Sequence, residues 1–80
     1  MNSKEALAWI ADVFEEEPEE LTPETPRGDI PGWDSMGILA LMAGLDRDFD
    51  ILLTADDMQS MTKVDDILQI LNRNGKIGQG

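Results

Sequence analysis

One short segment of this chain, Asp34-Ser35-Met36, could present a reactive hydroxyl. Pro31-Gly32 precedes it as a turn and an almost uninterrupted apolar run follows it, which places the serine at the start of a helix. A serine nucleophile needs a neighbouring base, most often histidine, and this chain has neither His nor Cys. We therefore expect Ser35 to be modified by another protein, as an attachment point.

A second set of residues imitates a calcium-binding loop. Asp46, Asp48 and Asp50 alternate along the chain, and Asp57 occupies the twelfth position. Such a loop needs glycine at its sixth position and a bidentate glutamate at its twelfth, whereas Ile51 is sixth here. We predict no metal site, although weak divalent-cation binding by these acids stays open. No pattern separates one carboxyl group from another as acid and base, so we also predict no catalytic activity.

Composition restricts the protein class. The chain has 80 residues, enough for one domain, and a net charge of −11, which disfavours nucleic acids and anionic membranes and favours basic protein partners. Solubility alone is the simpler explanation of that charge. The start of the chain does not resemble a secretory signal, and the longest apolar run, 38–43, is too short to span a bilayer. We expect a soluble, cytoplasmic monomer without membrane insertion.

The first half of the chain predicts two helices and a long loop. A capping box at Asn2 and Glu5 begins the first helix, Ser3 to Phe14. Its apolar face is formed by Leu7, Ile10, Ala11 and Phe14, with Trp9 and Val13 beside it. Glutamates and prolines make 15–34 a loop, which we expect Leu21 and Ile30 to anchor and Thr22-Pro23-Glu24 to interrupt with a turn. Asp34 is the predicted N-cap of a second helix, 35–48.

The second half predicts two further helices. The connector 49–53 is apolar and should fold inwards. Thr54 and Asp57 cap a short third helix that ends near residue 60 and turns Met58 inwards, and Thr62 with Asp65 caps the fourth. The inward face of the fourth helix consists of Val64, Ile67, Leu68 and Leu71, and Asn74-Gly75 ends it. The predicted fold class is all-α, a small four-helix bundle with a long loop between the first two helices. Residues 1–75 form its domain and 76–80 a flexible tail.

The segment 32–41, GWDSMGILAL, resembles the phosphopantetheine attachment motif of acyl carrier proteins, which usually reads Asp-Ser-Leu. The resemblance continues through 42–51 to 62–67 and covers essentially the whole chain. It implies that a phosphopantetheinyl transferase attaches 4′-phosphopantetheine from coenzyme A to Ser35, flanked by Asp34 and Met36. The arm would carry an acyl group as a thioester for acyl-loading and acyl-processing enzymes.

The resemblance also implies two sets of contacts. Asp34, Asp46 and Asp48 are the acids expected to contact basic partners. The apolar residues expected to line an acyl chain are Leu39, Met42, Ile51, Met58 and Ile67, each of which could equally be ordinary core. Gly37, Ala40 and Arg47 stand where carriers of fatty acid synthase often have acids, which favours a specialised fatty acid, lipid or polyketide-type pathway.

Two alternatives remain open at this stage. A peptidyl or aminoacyl carrier shares the same attachment chemistry and differs only in what is loaded. An unmodified acidic helical adaptor that binds a basic protein would need no attachment at all.

Overall fold

The structure, a computed structural model, describes residues 1–77. Within that range it is helical, as predicted, with four α-helices: α1 (Ser3–Val13), α2 (Ser35–Phe49), α3 (Ala55–Ser60) and α4 (Val64–Arg73). Two short 3-10 turns, Pro18–Glu20 and Arg27–Asp29, lie in the long loop. The predicted all-α bundle is therefore confirmed. The predicted boundary at residue 75 stays a prediction, and residues 78–80 of its tail lie outside the described residues.

Local hydrogen bonds start α1 and α3 where the sequence predicts. Asn2 and Glu5 exchange side chain-to-backbone bonds at the start of α1, as do Thr54 and Asp57 at the start of α3. Each reciprocal pair satisfies backbone N–H groups that have no partner inside the helix. The prediction for α4 is wrong by one residue. Lys63 is its N-cap, and the Asp66 carboxylate accepts hydrogen bonds from the backbone N–H groups of Thr62 and Lys63.

The core lies between α1, α2 and α4. The predicted loop anchors Leu21 and Ile30 are buried in it, and Leu7 and Met58 pack at its edge. The sequence patterns missed four of its members, Ala6, Trp33, Met61 and Ile70. The buried set comprises Ala6, Ile10, Ala11, Phe14, Leu21, Ile30, Trp33, Leu41, Leu45, Ile51, Met61, Val64, Ile67, Leu68, Ile70 and Leu71.

The connector between α2 and α3 does not fold inwards as a whole. α2 continues one residue beyond the predicted end, to Phe49, and Asp50 then takes a left-handed conformation with φ 56°. Ile51 is buried, but Leu52 is 78% exposed. Neighbouring side chains of a non-helical segment point to opposite sides, so burying Ile51 turns Leu52 towards solvent.

The long loop is tied to the start of α4 by backbone hydrogen bonds. The Arg27 N–H donates to the Thr62 carbonyl at 2.8 Å, and the Val64 N–H donates to the Thr25 carbonyl at 3.0 Å. The Asp65 N–H donates to the Pro23 carbonyl at 2.8 Å. The predicted turn at Thr22-Pro23-Glu24 is present. These bonds hold the loop that leads to Ser35 against the core.

Candidate functional site

Ser35 is the first residue of α2 and is exposed. Asp34 precedes it in an extended conformation, and its carboxylate Oδ1 accepts a hydrogen bond from the Gly37 N–H at 2.9 Å. This is the N-cap that the sequence predicts. Because the cap is satisfied by Asp34, the serine stands at the open end of the helix, where free N–H groups and the helix dipole favour a bound anion such as a phosphodiester. Met36 beside it is 76% exposed.

Two glycines allow the start of α2 to press against the end of α1. A Cβ atom on Gly37 would overlap the carbonyl oxygen of Gly32, and one on Gly32 would overlap the carbonyl oxygen of Phe14. Gly37 is buried as well, so no side chain fits there. The absence of an acid at position 37 thus has a packing reason. The Pro31-Gly32 turn fixes where α2, and hence Ser35, begins.

Trp33 anchors the same turn from inside the core. Its ring stacks on Phe14, with centroids 5.0 Å apart and planes 15° apart, and the Arg27 guanidinium lies 5.8 Å from its centroid. Arg27 Nε also donates to the Trp33 carbonyl at 3.4 Å. Among residues 1–77 the buried indole Nε1 of Trp33 has no hydrogen-bond partner. The turn before Ser35 is therefore fixed by the contacts of the Trp33 ring with Phe14 and Arg27.

A groove of about 350 Å³ opens between the end of α1 and the start of α2, beside Ser35. Its apolar part is formed by Val13, Phe14, Met36 and Ala40, together with the two glycines of the close contact. Asp12, Glu15 and Asp34 supply its carboxylates. None of the five residues predicted to line an acyl chain belongs to this groove.

Those five residues have different environments. Ile67 and Ile51 are buried in the core, Met42 and Met58 are half-buried, and Leu39 is 63% exposed. Leu39 lies three residues after Met36, so the two exposed apolar side chains share one face of α2. The acyl-lining assignment stays a prediction.

The acids predicted to contact partners are all exposed, but they are not equivalent. Asp34 is occupied as the N-cap of α2. Asp48 accepts hydrogen bonds from Arg47, whose Nε and Nη2 lie 3.0 and 3.1 Å from its two oxygens, and from Trp9 Nε1 at 2.8 Å. The bonds from Arg47 and Trp9 lower the pKa of Asp48 from 3.8 to about 2. Arg47 thus balances the charge of Asp48, and Asp46 is the remaining predicted acid there.

The acids that imitate a calcium loop are partly engaged elsewhere. Asp57 caps α3 and accepts a hydrogen bond from Arg73 at 3.2 Å, and its pKa is lowered mainly by the hydrogen bond from the Thr54 N–H. Asp48 is held by Arg47 and Trp9. Over residues 1–77 no group of three or more potential metal ligands lies close enough to hold an ion.

In the same range no helix has the length and apolar character that crossing a membrane requires.

The fold is similar to that of a solved protein. The solution NMR structure of a holo acyl carrier protein from Geobacter metallireducens matches with a TM-score of 0.75 and 28% sequence identity. The match covers 92% of this chain and 86% of that chain. The resemblance to acyl carrier proteins predicted from the sequence is therefore confirmed by the fold. No family model matches the sequence. The acyl carrier fold supports a carrier role and is typical of proteins that are generally non-catalytic.

Proposed function

We propose that this chain is a discrete acyl carrier protein that bears 4′-phosphopantetheine on Ser35. The observation that carries the proposal is the exposed hydroxyl at the capped first position of α2 in an acyl carrier fold. The neighbouring structure is of a holo acyl carrier protein, which also supports a modified form of this one. Asp34 and Met36 flank the serine and contribute to its presentation.

The attachment is a transfer catalysed by a phosphopantetheinyl transferase. The Ser35 oxygen attacks the phosphorus of coenzyme A that bears the pantetheine, and the bond from that phosphorus to adenosine 3′,5′-bisphosphate breaks. A base must take the hydroxyl proton. We assign it to the transferase, because this chain has no His and the Asp34 carboxylate beside Ser35 caps α2 by accepting from the Gly37 N–H. When attached, the arm supplies a thiol that holds acyl groups as thioesters, in a chain that has no Cys of its own. Tethering raises the local concentration of the substrate at each enzyme.

We further propose a specialised fatty acid, lipid or polyketide-type pathway in the cytoplasm, with the chain acting as a monomer. Support comes from α2, where Gly37 cannot hold a side chain, Ala40 is uncharged and Arg47 is basic. Enzymes whose basic patches match three acids at those positions would bind this helix weakly. The other partners are loading and processing enzymes adapted to this pattern.

Intact-protein mass spectrometry tests the attachment. The folded chain is incubated with coenzyme A and a broad-specificity phosphopantetheinyl transferase, next to the variants Ser35→Ala and Ser3→Ala. Ser3 is a matched control because it is also the first residue of an N-capped helix. We expect one adduct on the wild type and on Ser3→Ala, and none on Ser35→Ala. An adduct that persists in Ser35→Ala, or that no transferase forms on the wild type, contradicts the proposal.

A loading assay and the activity of Ser35→Ala distinguish an acyl carrier from the two alternatives. For an aminoacyl carrier, an adenylating enzyme would load an amino acid onto the holo protein and an acyl ligase would not. For an unmodified adaptor, Ser35→Ala would keep the biological activity, whereas a carrier loses it completely while its fold persists.

The acyl-lining proposal has a test of its own. Leu39→Trp or Met42→Trp should change how strongly a long acyl chain on the arm is protected from hydrolysis. Exposed Ala43 on the same helix offers a control, Ala43→Trp, outside the proposed lining. Equal protection in all three variants and the wild type would exclude this lining.

A further inference from the structure

The groove beside Ser35 combines an apolar floor with acidic side chains. Val13 and Ala40 face it from α1 and α2, and Asp12 and Glu15 lie at the α1 end. Asp12 and Glu15 are exposed, and so is Met36 on the opposite side. A side chain with an aliphatic stem and a positive head group matches this arrangement, because its stem can cover apolar atoms while the head reaches carboxylates.

Charge is distributed unevenly around Ser35. Every charged residue from 12 to 24 is acidic, so the end of α1 and the following loop carry a continuous negative field. Towards the end of α2 the field is weaker, because Arg47 pairs with Asp48 at 3.0 Å and Trp9 donates to the same carboxylate. Arg47 also acts on Asp12, but less than on Asp48, so the α1 side of Ser35 keeps a negative charge that attracts a basic partner.

We propose that this groove is the docking subsite for a lysine or arginine side chain of the enzyme that modifies Ser35. The basic head group pairs with Asp12 and Glu15, its stem lies on Val13 and Ala40, and an apolar residue of the enzyme covers Met36. The inference rests on the proposed attachment to Ser35, and it transfers the main docking contact from Asp46 and Asp48 to the groove.

Transferase kinetics with coenzyme A test the groove. We compare Asp12→Asn/Glu15→Gln, in the groove, with Glu19→Gln/Glu24→Gln, which removes the same charge from exposed positions outside its lining. At low ionic strength the groove variant should raise the KM for the carrier about tenfold, with kcat unchanged, because two charge-assisted contacts are lost only in docking. The control should change KM less than twofold. Asp46→Asn/Asp48→Asn should behave like the control.

A second variant tests the shape of the groove without changing its charge. Ala40 is exposed, so Ala40→Trp can fold, and the indole would fill the groove. We expect a KM increase of similar size, with an unchanged far-ultraviolet circular dichroism spectrum.

The outcomes distinguish the docking subsite from the attachment itself. No adduct on the wild type removes the proposed function and the subsite with it. If the wild type forms the adduct but the groove variant keeps the KM of the wild type, the subsite alone is overturned. Equal KM increases in both charge variants would show that only net charge matters, which also overturns it.

Discussion

Two acidic residues have left-handed backbones, each directly at the end of a helix. Glu15 follows α1 with φ 59°, and Asp50 ends α2 with φ 56°. A left-handed residue here turns the chain back so that the next N–H groups can bond to the last carbonyls of the helix. In α1 the Glu16 N–H donates to the Ala11 carbonyl at 2.8 Å. Glycine is the usual residue there because a Cβ atom disfavours this conformation. Asp tolerates it better than Glu.

Glu15→Gly should therefore stabilise the protein. We expect the free energy of unfolding to rise by about 0.5–1 kcal/mol, since the relief of backbone strain exceeds the entropy cost of glycine. Urea denaturation measures it. Glu17→Gly removes the same charge at a residue with φ −78°. It should instead lower the free energy of unfolding by about 0.5 kcal/mol. A loss in Glu15→Gly would contradict the strain argument.

The Asp48 carboxylate should make stability depend on pH. Its pKa in the folded protein is about 2, below the ordinary value of 3.8. The bonds from Arg47 and Trp9 therefore stabilise the fold above pH 3.8, and this contribution is lost as the pH falls towards 2. Carboxyl titration by NMR should show the low midpoint in the wild type. Arg47→Met should raise the pKa more than Trp9→Phe does, because Arg47 is the larger cause. An unchanged midpoint in both variants would exclude these bonds.

At the scale of elements, the close contact of α2 with α1 sets the position of Ser35. Gly37 in α2 meets Gly32, and Gly32 meets the backbone of Phe14 at the end of α1. Trp33 then locks the turn by stacking on the Phe14 ring. The register of α2 relative to α1 thus depends on two positions where no side chain is tolerated.

Gly37→Ala should show this dependence. Alanine favours a helix over glycine by about 1 kcal/mol, but displacement of the Gly32 backbone costs more, so we expect a net loss of roughly 2 kcal/mol in the free energy of unfolding. The amide signals of Ser35 and Trp33 should shift as the turn moves. Gly28→Ala is the control, because a Cβ atom there has no neighbour within 4 Å, and its stability should change by less than about 0.5 kcal/mol. Equal stability of both variants would contradict the close contact.

Local interactions explain which elements the sequence could predict. The Asp34 cap joins residues three apart, so its spacing is visible in the chain. The start of α4 was missed by one residue because Asp65 donates its N–H to Pro23, forty-two positions away, and no local pattern records that bond. Trp33 was missed because it lies in a loop without periodicity, between Pro31-Gly32 and Asp34.

The groove beside Ser35 could not be predicted from the sequence for the same reason. Its walls come from the end of α1 and the start of α2, separated by the long loop. Ser35, the proposed attachment site, could be singled out from the sequence, since the motif around it is continuous in the chain. Asp12 and Glu15 could not be connected with Ser35, because the packing of α2 and its preceding turn against α1 brings those segments together, and no local pattern records it.

At the scale of the whole molecule, size and charge combine. The described chain measures 29 × 28 × 20 Å. The net charge is −11, and the described part has two ion pairs, Arg47–Asp48 and Arg73–Asp57. The distance over which salt screens charges is about 30 Å at 0.01 M ionic strength, so every acid then repels the others across the protein. At about 1 M it is only about 3 Å, and the repulsion is confined to neighbours.

Neutralising part of the acidic loop should therefore stabilise the fold only at low salt. Glu17, Glu19 and Glu20 are exposed around the first 3-10 turn. Their triple replacement by Gln should raise Tm by about 4–8 °C at low ionic strength, which corresponds to about 1 kcal/mol in a domain of this size. The triple replacement by Asp keeps the charge and serves as the control, with no such gain. Thermal unfolding in about 1 M NaCl should remove the difference between the Gln variant and the wild type, because the repulsion is already screened. A gain that persists at high salt would mean that glutamine acts through local structure, and the charge argument would be wrong.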